Sequence, residues 1–206
     1  MGAAVLVSGR GTNLRALLEA AADPRYPARI VAVAANRSSC PALEVAEAAA
    51  VPARVFRLRD FGGDGESRDR ALAEWALAMG ASCLVLAGYD RILGRPLLAA
   101  FAGRILNVHN SLLPAFSGTM SAVAEALAHG VKVSGCTVHL VDAGITDGGP
   151  IVLQAAVPVQ EGDTEDALLE RIHQEEWRLL PQALALLAEG RVRVEGRRAR
   201  ILEAAR

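Results

Sequence analysis

The sequence predicts an α/β protein with a mostly parallel twisted sheet and helices on both of its faces. Short apolar runs alternate with longer amphipathic stretches through the first two-thirds of its 206 residues, which is the pattern of a doubly wound sheet. Residues 83–87 are apolar throughout, as is typical of a strand buried on both faces. A glycine-rich segment, residues 8–13, follows the first apolar run, where a strand would turn into a helix.

The elements of this sheet are predicted in order from local patterns. Mainly apolar runs predict strands at residues 3–7, 30–35, 55–58, 83–87 and 105–108. Apolar residues at helical spacing, or a proline suited to a first turn, predict helices at residues 14–22, 41–50, 67–79 and 96–102.

The last third of the chain has a different order of elements. Helices are predicted at residues 122–129 and 163–187, and strands at residues 135–141, 151–159, 192–194 and 200–202. The glycine-rich loop 144–149 between two of these strands fits a hairpin-like excursion. Asp163 and Thr164 can cap the start of the long helix, and the last two strands are predicted to pair across Gly196.

Composition excludes several classes of protein. Hydrophobic residues make up 52% and charged residues 22%, which excludes a disordered chain. A formal net charge of −1 argues against non-specific nucleic-acid binding. The sequence has no long uncharged apolar stretch, so no membrane-spanning helix is predicted. The start has no basic region typical of a secretory signal, so we expect a cytoplasmic protein.

Cysteine and histidine spacing gives no sign of a metal site or of covalent catalysis. Cys40, Cys83 and Cys136 are far apart and form no CxxC pair, so neither a disulfide framework nor a zinc site is predicted. There is no nucleophile elbow around a serine. His139 lies on a predicted strand, where a core or supporting role is expected.

The first segment with functional potential is residues 8–13, SGRGTN. Glycines let the backbone approach a ligand, and the amides at a helix N-terminus favour an anion. The segment has neither the third glycine of a dinucleotide fingerprint nor the lysine of a P-loop. It therefore predicts binding of the phosphate of a smaller ligand, with a plain tight turn as the alternative.

The second segment places Asn107 and His109 two residues apart at the end of a strand, so that both side chains leave one face. Ligands bind at the carboxyl ends of strands in open α/β sheets. An amide that stabilises an oxyanion beside an imidazole that moves a proton suits acyl transfer. A purely structural histidine is the alternative. Asp147, in an Asp-Gly-Gly-Pro sequence, marks a turn or a carboxylate that orients His109.

Five motifs in order, VLVSGRGTN, VLAGYDRIL, ILNVHNSLLP, VKVSGCTVHLVDAG and DGGPIVLQAAVPV, resemble the glycinamide ribonucleotide formyltransferases, folate-dependent enzymes of purine synthesis. The similarity runs from about residue 4 to residue 190. It implies a Rossmann-like formyltransferase fold in one domain, residues 1–206. This domain would comprise a phosphate-binding half (1–103), a catalytic and folate half (104–190) and a C-terminal tail (191–206).

The resemblance also implies the reaction and its partners. The formyl group of 10-formyltetrahydrofolate passes to the amine of glycinamide ribonucleotide without a metal. Both substrates are small molecules, neither nucleic acid nor membrane is a partner, and the chain is a monomer or homodimer. In the implied mechanism Asn107 and a protonated His109 stabilise an oxyanion, and Asp147 keeps His109 charged and oriented. A bound water carries the proton from the amine to the leaving nitrogen.

Positions in the motifs imply individual roles. The catalytic residues are Asn107, His109 and Asp147. The substrate phosphate is held by Gly11, Thr12 and Asn13, and the ribose by Glu176. The folate is bound by Arg68, Asp90, Arg91, Ile92, Leu93 and Asn107. The alternative for Arg68 and Glu176 is a solvated helix face.

The sequence departs from the family pattern beside the predicted site. Asn110 stands where the family has proline, and the loops at 117–121 and 143–147 are each one residue longer. The alternatives are therefore a related deformylase, which would carry a further N-terminal domain, and a non-catalytic ligand-binding protein on the same scaffold. A methionyl-tRNA formyltransferase would carry a C-terminal barrel.

Overall fold

The computed structural model describes residues 1–141 and 147–203. These residues form two compact units, Met1–Leu106 and Asn107–Arg206. The lengthened loop expected at residues 143–147 lies outside the described residues, apart from Asp147. In the described part of the chain, no helix is both long enough and apolar enough to cross a membrane.

The first unit is a parallel sheet with connecting helices. Its elements are β1 (Gly2–Val7), α1 (Thr12–Ala21), β2 (Arg29–Ala35), α2 (Ala42–Ala48), β3 (Ala53–Val55), a 3-10 turn (Leu58–Phe61), α3 (Gly65–Ala78), β4 (Cys83–Leu86) and α4 (Arg95–Ala100). The strand order is β3-β2-β1-β4, and each of these neighbours is parallel. Because helical crossovers cover such a sheet, the residues of β1 from Ala3 to Val7 are completely buried.

The second unit is mixed. Strand β5 (Ile105–His109) crosses the boundary between the units, and the further elements are α5 (Ala122–Ala128), β6 (Val133–Leu140), β7 (Ile151–Pro158), α6 (Glu165–Ala188), β8 (Val192–Glu195) and β9 (Arg198–Ile201). The order β6-β7-β9-β8 contains two antiparallel pairs, β6–β7 and β8–β9, and one parallel pair, β7–β9. The long helix α6 begins after Thr164, whose Oγ1 accepts a hydrogen bond from Ala167 N at 3.2 Å.

The predicted fold class is confirmed, because the strands form a mixed, mostly parallel arrangement connected by helices. The predicted strand at residues 55–58 is wrong in its extent. Strand β3 ends at Val55, and the chain continues into the 3-10 turn, where Arg57 Nε donates to Asp60 Oδ2 at 2.7 Å. A short apolar run does not distinguish a strand from such a turn.

Two helices begin about two residues before the predicted positions. Helix α1 begins at Thr12 because Gly11, at its N-cap, has a φ of 81°, a left-handed conformation that glycine adopts without strain. Helix α3 begins at Gly65 because Asp64 caps it and accepts from Glu66 N at 3.0 Å. Both starts are therefore determined by the residue that precedes the helix.

Candidate active site

The three predicted catalytic side chains lie together in the second unit. Asn107 and His109 leave the end of β5, and Asp147 lies just before β7. Asp147 Oδ2 is 3.6 Å from His109 Nδ1, and Asn107 Nδ2 donates to Asp147 Oδ1 at 3.4 Å. The carboxylate therefore contacts both the imidazole and the amide.

His139, on β6, is a fourth member of this cluster. Its Nε2 lies 3.1 Å from Asn107 Nδ2 and 3.5 Å from Asp147 Oδ1, and its Nδ1 lies 3.0 Å from the carbonyl oxygen of Leu140. Since a carbonyl only accepts, Nδ1 carries a hydrogen, and in the neutral ring Nε2 accepts from the Asn107 amide. His139 is buried and thus fixes which way that amide faces.

His109 has an acceptor oxygen beside each ring nitrogen. Its Nε2 lies 3.0 Å from the carbonyl oxygen of Phe116, and its Nδ1 faces Asp147 Oδ2 at 3.6 Å. An imidazolium donates from both nitrogens, so this environment suits the charged ring. Phe116 has a φ of 56°, an uncommon conformation for a residue other than glycine.

Asp147 is held in its charged form. Burial is the largest single influence on the pKa of this carboxyl group and acts to raise it, but three neighbouring groups together outweigh it. These are the His139 ring, the Gly118 N–H and the His109 ring, and the pKa lies below its ordinary value. The Gly118 N–H donates to Asp147 Oδ2 at 3.0 Å, which links the loop after Phe116 to the cluster.

A buried hydroxyl supports the segment that follows His109. Thr137 Oγ1 donates to Ser111 O at 2.7 Å and accepts from Leu113 N at 3.0 Å and from Gln154 Nε2 at 2.9 Å. Thr137 and His139 are two apart on β6, so they share one face of the strand. One face of β6 thus supports both the Asn107 amide and the loop that follows His109.

The predicted phosphate-binding residues lie in the first unit, where the backbone passes from β1 into α1. Gly11 is the N-cap of α1, and Thr12 and Asn13 form its first turn. A Cβ atom at Gly11 would lie 2.8 Å from Ala42 Cβ, so no larger residue fits without displacement. The first amides of a helix have no partner within that helix, which is the arrangement that binds anions.

Arg68 and Glu176 are both buried, at 5% and 4% exposure. A solvated helix face, the alternative for each of them, is therefore wrong. On α3, Arg68 Nη2 lies 2.6 Å from Asp69 Oδ1, and Asp69 Oδ2 accepts from Gly94 N at 2.6 Å. The Asp69 carboxylate was not among the predicted residues, because a single Asp on a helix carries no sequence signal.

The segment from Asp90 to Leu93 shows large differences in exposure. Ile92 is 82% exposed and Leu93 only 7%, and the Arg91 side chain is more than half exposed. The Asp90 carboxylate accepts from Ser8 Oγ at 3.0 Å and from Asn36 Nδ2 at 2.6 Å. In this segment the side chain of Asp90 bonds to other residues of the first unit, while the Ile92 side chain faces solvent.

Comparisons with known proteins identify the family. The family model described as formyl transferase matches residues 1–184. The chain belongs to the formyl transferase family.

This formyl transferase is similar in sequence and in structure to several named members of the family. A phosphoribosylglycinamide formyltransferase of Mycobacterium tuberculosis is 51% identical over 95% of this chain and 88% of its own length. The trifunctional purine biosynthetic protein adenosine-3 of Gallus gallus is 43% identical over 93% of this chain and 19% of its own length. The crystal structure of glycinamide ribonucleotide transformylase 1 from Symbiobacterium toebii has a TM-score of 0.95 and 49% identity, with 98% of this chain and 94% of that chain covered. The family resemblance predicted from the motifs is confirmed.

The cluster in this formyl transferase combines an amide donor, two imidazoles and a carboxylate, which is a set suited to oxyanion stabilisation and proton transfer. Within residues 1–141 and 147–203, no group of three or more His, Cys, Asp and Glu residues is placed to hold a metal ion. Burial raises the pKa of the Cys83 and Cys136 thiols to about 12, so both remain protonated at neutral pH.

Proposed function

We propose that this formyl transferase moves the formyl group of 10-formyltetrahydrofolate to the amine of glycinamide ribonucleotide, in purine biosynthesis. The products are formylglycinamide ribonucleotide and tetrahydrofolate. The observation that carries the proposal is the cluster of Asn107, His109 and Asp147, in a chain 51% identical to a phosphoribosylglycinamide formyltransferase. The proposal includes a cytoplasmic location and a monomeric or homodimeric state.

The reaction proceeds by direct transfer. The amine attacks the formyl carbon, a new C–N bond forms, and the carbonyl oxygen gains negative charge. When the intermediate collapses, the bond from the formyl carbon to the folate nitrogen breaks. A water molecule carries the proton from the attacking amine to that nitrogen, so atoms and charges balance. The protein stabilises the charge that develops between these two steps.

Asn107 and His109 supply the donors for the oxyanion. One N–H of the Asn107 amide bonds to His139, and the other makes only the long contact of 3.4 Å with Asp147 Oδ1, which the substrate oxygen replaces. Charged His109 adds a second donor, and hydrogen bonds from charged groups are stronger than neutral ones. The substrate oxygen takes the place that the carbonyl of Phe116 occupies beside His109 Nε2.

Substrate binding uses the remaining predicted residues. Gly11, Thr12 and Asn13 bind the phosphate through helix amides, and Glu176 contacts the ribose. The folate is read by Arg68, Asp90, Arg91, Ile92, Leu93 and Asn107. The Asp90 carboxylate and the Arg68 guanidinium already bond to other side chains of the protein. We therefore assign the folate contacts of residues 90–93 mainly to their backbone and to the exposed Ile92 side chain.

A spectroscopic assay tests the proposal. The purified chain is mixed with a 10-formyl folate and glycinamide ribonucleotide, and the folate absorbance is followed over time. We expect the absorbance to change only when both substrates are present. A change without the amine substrate would favour the deformylase, and no change in any mixture would favour the non-catalytic binding protein.

A further inference from the structure

The Asp90 side chain joins the carboxyl ends of three neighbouring strands in the first unit. Ser8 follows β1, Asn36 follows β2, and Asp90 lies four residues after the end of β4. Asp90 Oδ1 accepts from Ser8 Oγ at 3.0 Å and from Asn36 Nδ2 at 2.6 Å, and Asp90 Oδ2 pairs with Arg37. The strand order β2-β1-β4 places these three ends at the sheet edge where ligands bind in such folds.

Ser8 and Asp90 bind each other in both directions. The Ser8 hydroxyl donates to the Asp90 carboxylate at 3.0 Å and accepts from the Asp90 backbone N–H at 3.0 Å. A hydroxyl has one hydrogen and two lone pairs, so a single group fixes both the side chain and the backbone of Asp90. Ser8 is also buried, which restricts its rotation. The pair therefore fixes the position from which residues 91–93 continue.

The other end of the same segment is anchored independently. Asp69 Oδ2 accepts from Gly94 N at 2.6 Å, and a Cβ atom at position 94 would lie 2.8 Å from that oxygen. Asp69 is itself buried and paired with Arg68. Residues 91–93 thus span two fixed points, and Ile92 is exposed between them.

We propose that Ser8 and Asp90 form a positioning pair that holds the folate segment, residues 90–93, in fixed register with the phosphate segment, residues 8–13. Ser8 begins the phosphate segment, and Asp90 begins the folate segment. The acceptors of Asp90 face Ser8, Asn36 and Arg37, so this carboxylate acts through position and not through contact with a ligand. The inference rests on the proposed function, because that function assigns the two segments to the two substrates.

The pair predicts a specific kinetic effect. Loss of the pair misplaces both binding segments, so the KM for each substrate rises about three- to tenfold, as one or two lost hydrogen bonds imply. The kcat stays close to that of the wild type, because Asn107, His109 and Asp147 are unchanged. The double variant Ser8→Ala with Asp90→Ala is expected to be no worse than Asp90→Ala alone, since partners of one interaction are not additive.

The experiment measures kcat and both KM values for Ser8→Ala, Asp90→Ala and the double variant. Ser8→Thr keeps the hydroxyl and should restore the KM values. Asp90→Asn keeps an oxygen that can accept from the Ser8 hydroxyl but loses the charge that pairs with Arg37. This variant therefore distinguishes the effect of the Ser8 hydrogen bond from the effect of the Arg37 ion pair. Asp60→Ala is the matched control, because Asp60 is an exposed carboxylate of the same unit that pairs with Arg57 outside the predicted site.

The outcomes separate this inference from the proposed function. Wild-type chain that makes no formylated product contradicts the proposed function. An active wild type whose Ser8→Ala and Asp90→Ala variants keep both KM values overturns the positioning pair, even if their melting temperatures fall. A fall in kcat alone also overturns it. If Asp90→Ala does not fold, Ser8→Ala decides by the same criteria.

Discussion

The Asn107 amide donates to the Nε2 atom of His139 over 3.1 Å, while the Nδ1 atom of the same ring bonds to the carbonyl oxygen of Leu140. The histidine therefore selects one orientation of the amide, with its NH2 group turned toward the carboxylate of Asp147. An oxyanion donor is effective when its direction is fixed before the reaction. This contact makes Asn107 the donor whose removal should be most informative.

Asn107→Ala is expected to lower kcat about 100- to 1000-fold, which is the usual loss for one oxyanion donor. The KM values should change much less, because the oxyanion exists only after the amine has attacked. Steady-state kinetics with each substrate varied in turn measures both quantities. Gln182→Ala, which removes an amide from an exposed position of α6, is the control. A rise in KM with an unchanged kcat would show that Asn107 only binds substrate.

His139→Ala should lower kcat about three- to tenfold, since one net hydrogen bond orients the amide. His139→Gln offers a polar atom near the former Nε2 position and should recover part of the loss. In an Asn107→Ala background His139→Ala should cost less than in the wild type, because only its contact with Asp147 is then left to lose. A full additional loss in that background would refute the positioning role. His173→Gln, a histidine on α6, is the matched control.

Asp147→Asn tests the charge of the carboxylate through stability. The pKa of Asp147 in the folded chain lies below its ordinary value of 3.8, so the ionised group stabilises the fold above that pH. This contribution is lost as the pH falls through the lower pKa of the folded state. The unfolding free energy of the wild type should therefore be higher than that of Asp147→Asn above about pH 4. This difference should become smaller as the pH falls below about 4. Urea unfolding over a pH series measures this, and a difference that grows on acidification would contradict it.

Part of the candidate site's geometry could be predicted from the sequence because its signals are local. The two-residue spacing of Asn107 and His109 on a strand, and the glycine at position 11, each determine geometry within a few residues. Asp147 was predicted as the partner of His109 from the resemblance, and it contacts His109 in the folded chain. The alternation of apolar runs and amphipathic stretches is also a local pattern, and it predicted the fold class.

The remaining parts depend on contacts between distant segments. The Ser8–Asp90 pair joins residues 82 apart in the chain, and Asp69 reaches Gly94 from another helix. Neither contact leaves a periodic pattern. The burial of Arg68 and Glu176 was likewise undecided, because a charged residue on a helix faces solvent unless tertiary packing encloses it. The strand predicted at residues 55–58 was displaced toward the C-terminus from the observed Ala53–Val55 for the same reason, since packing determines where a short strand joins and leaves the sheet.

Gly11→Ala should weaken both the fold and phosphate binding. A left-handed residue other than glycine costs about 1 to 3 kcal/mol, and the new Cβ atom would lie 2.8 Å from Ala42 Cβ. We expect a lower unfolding free energy and a higher KM for glycinamide ribonucleotide. Gly9→Ala is the matched control for stability, because a Cβ atom at Gly9 meets nothing within 4 Å. Equal unfolding free energies for the two variants would contradict this account of Gly11.

The most direct test of the central claim follows the formyl group itself. The chain is incubated with a folate that carries an isotopically labelled formyl group, together with glycinamide ribonucleotide, and the products are separated and identified by mass spectrometry. The account predicts that the label is recovered in formylglycinamide ribonucleotide, and that Asn107→Ala slows its appearance about 100- to 1000-fold. Label recovered as free formate at the same rate with and without the amine substrate would contradict direct transfer.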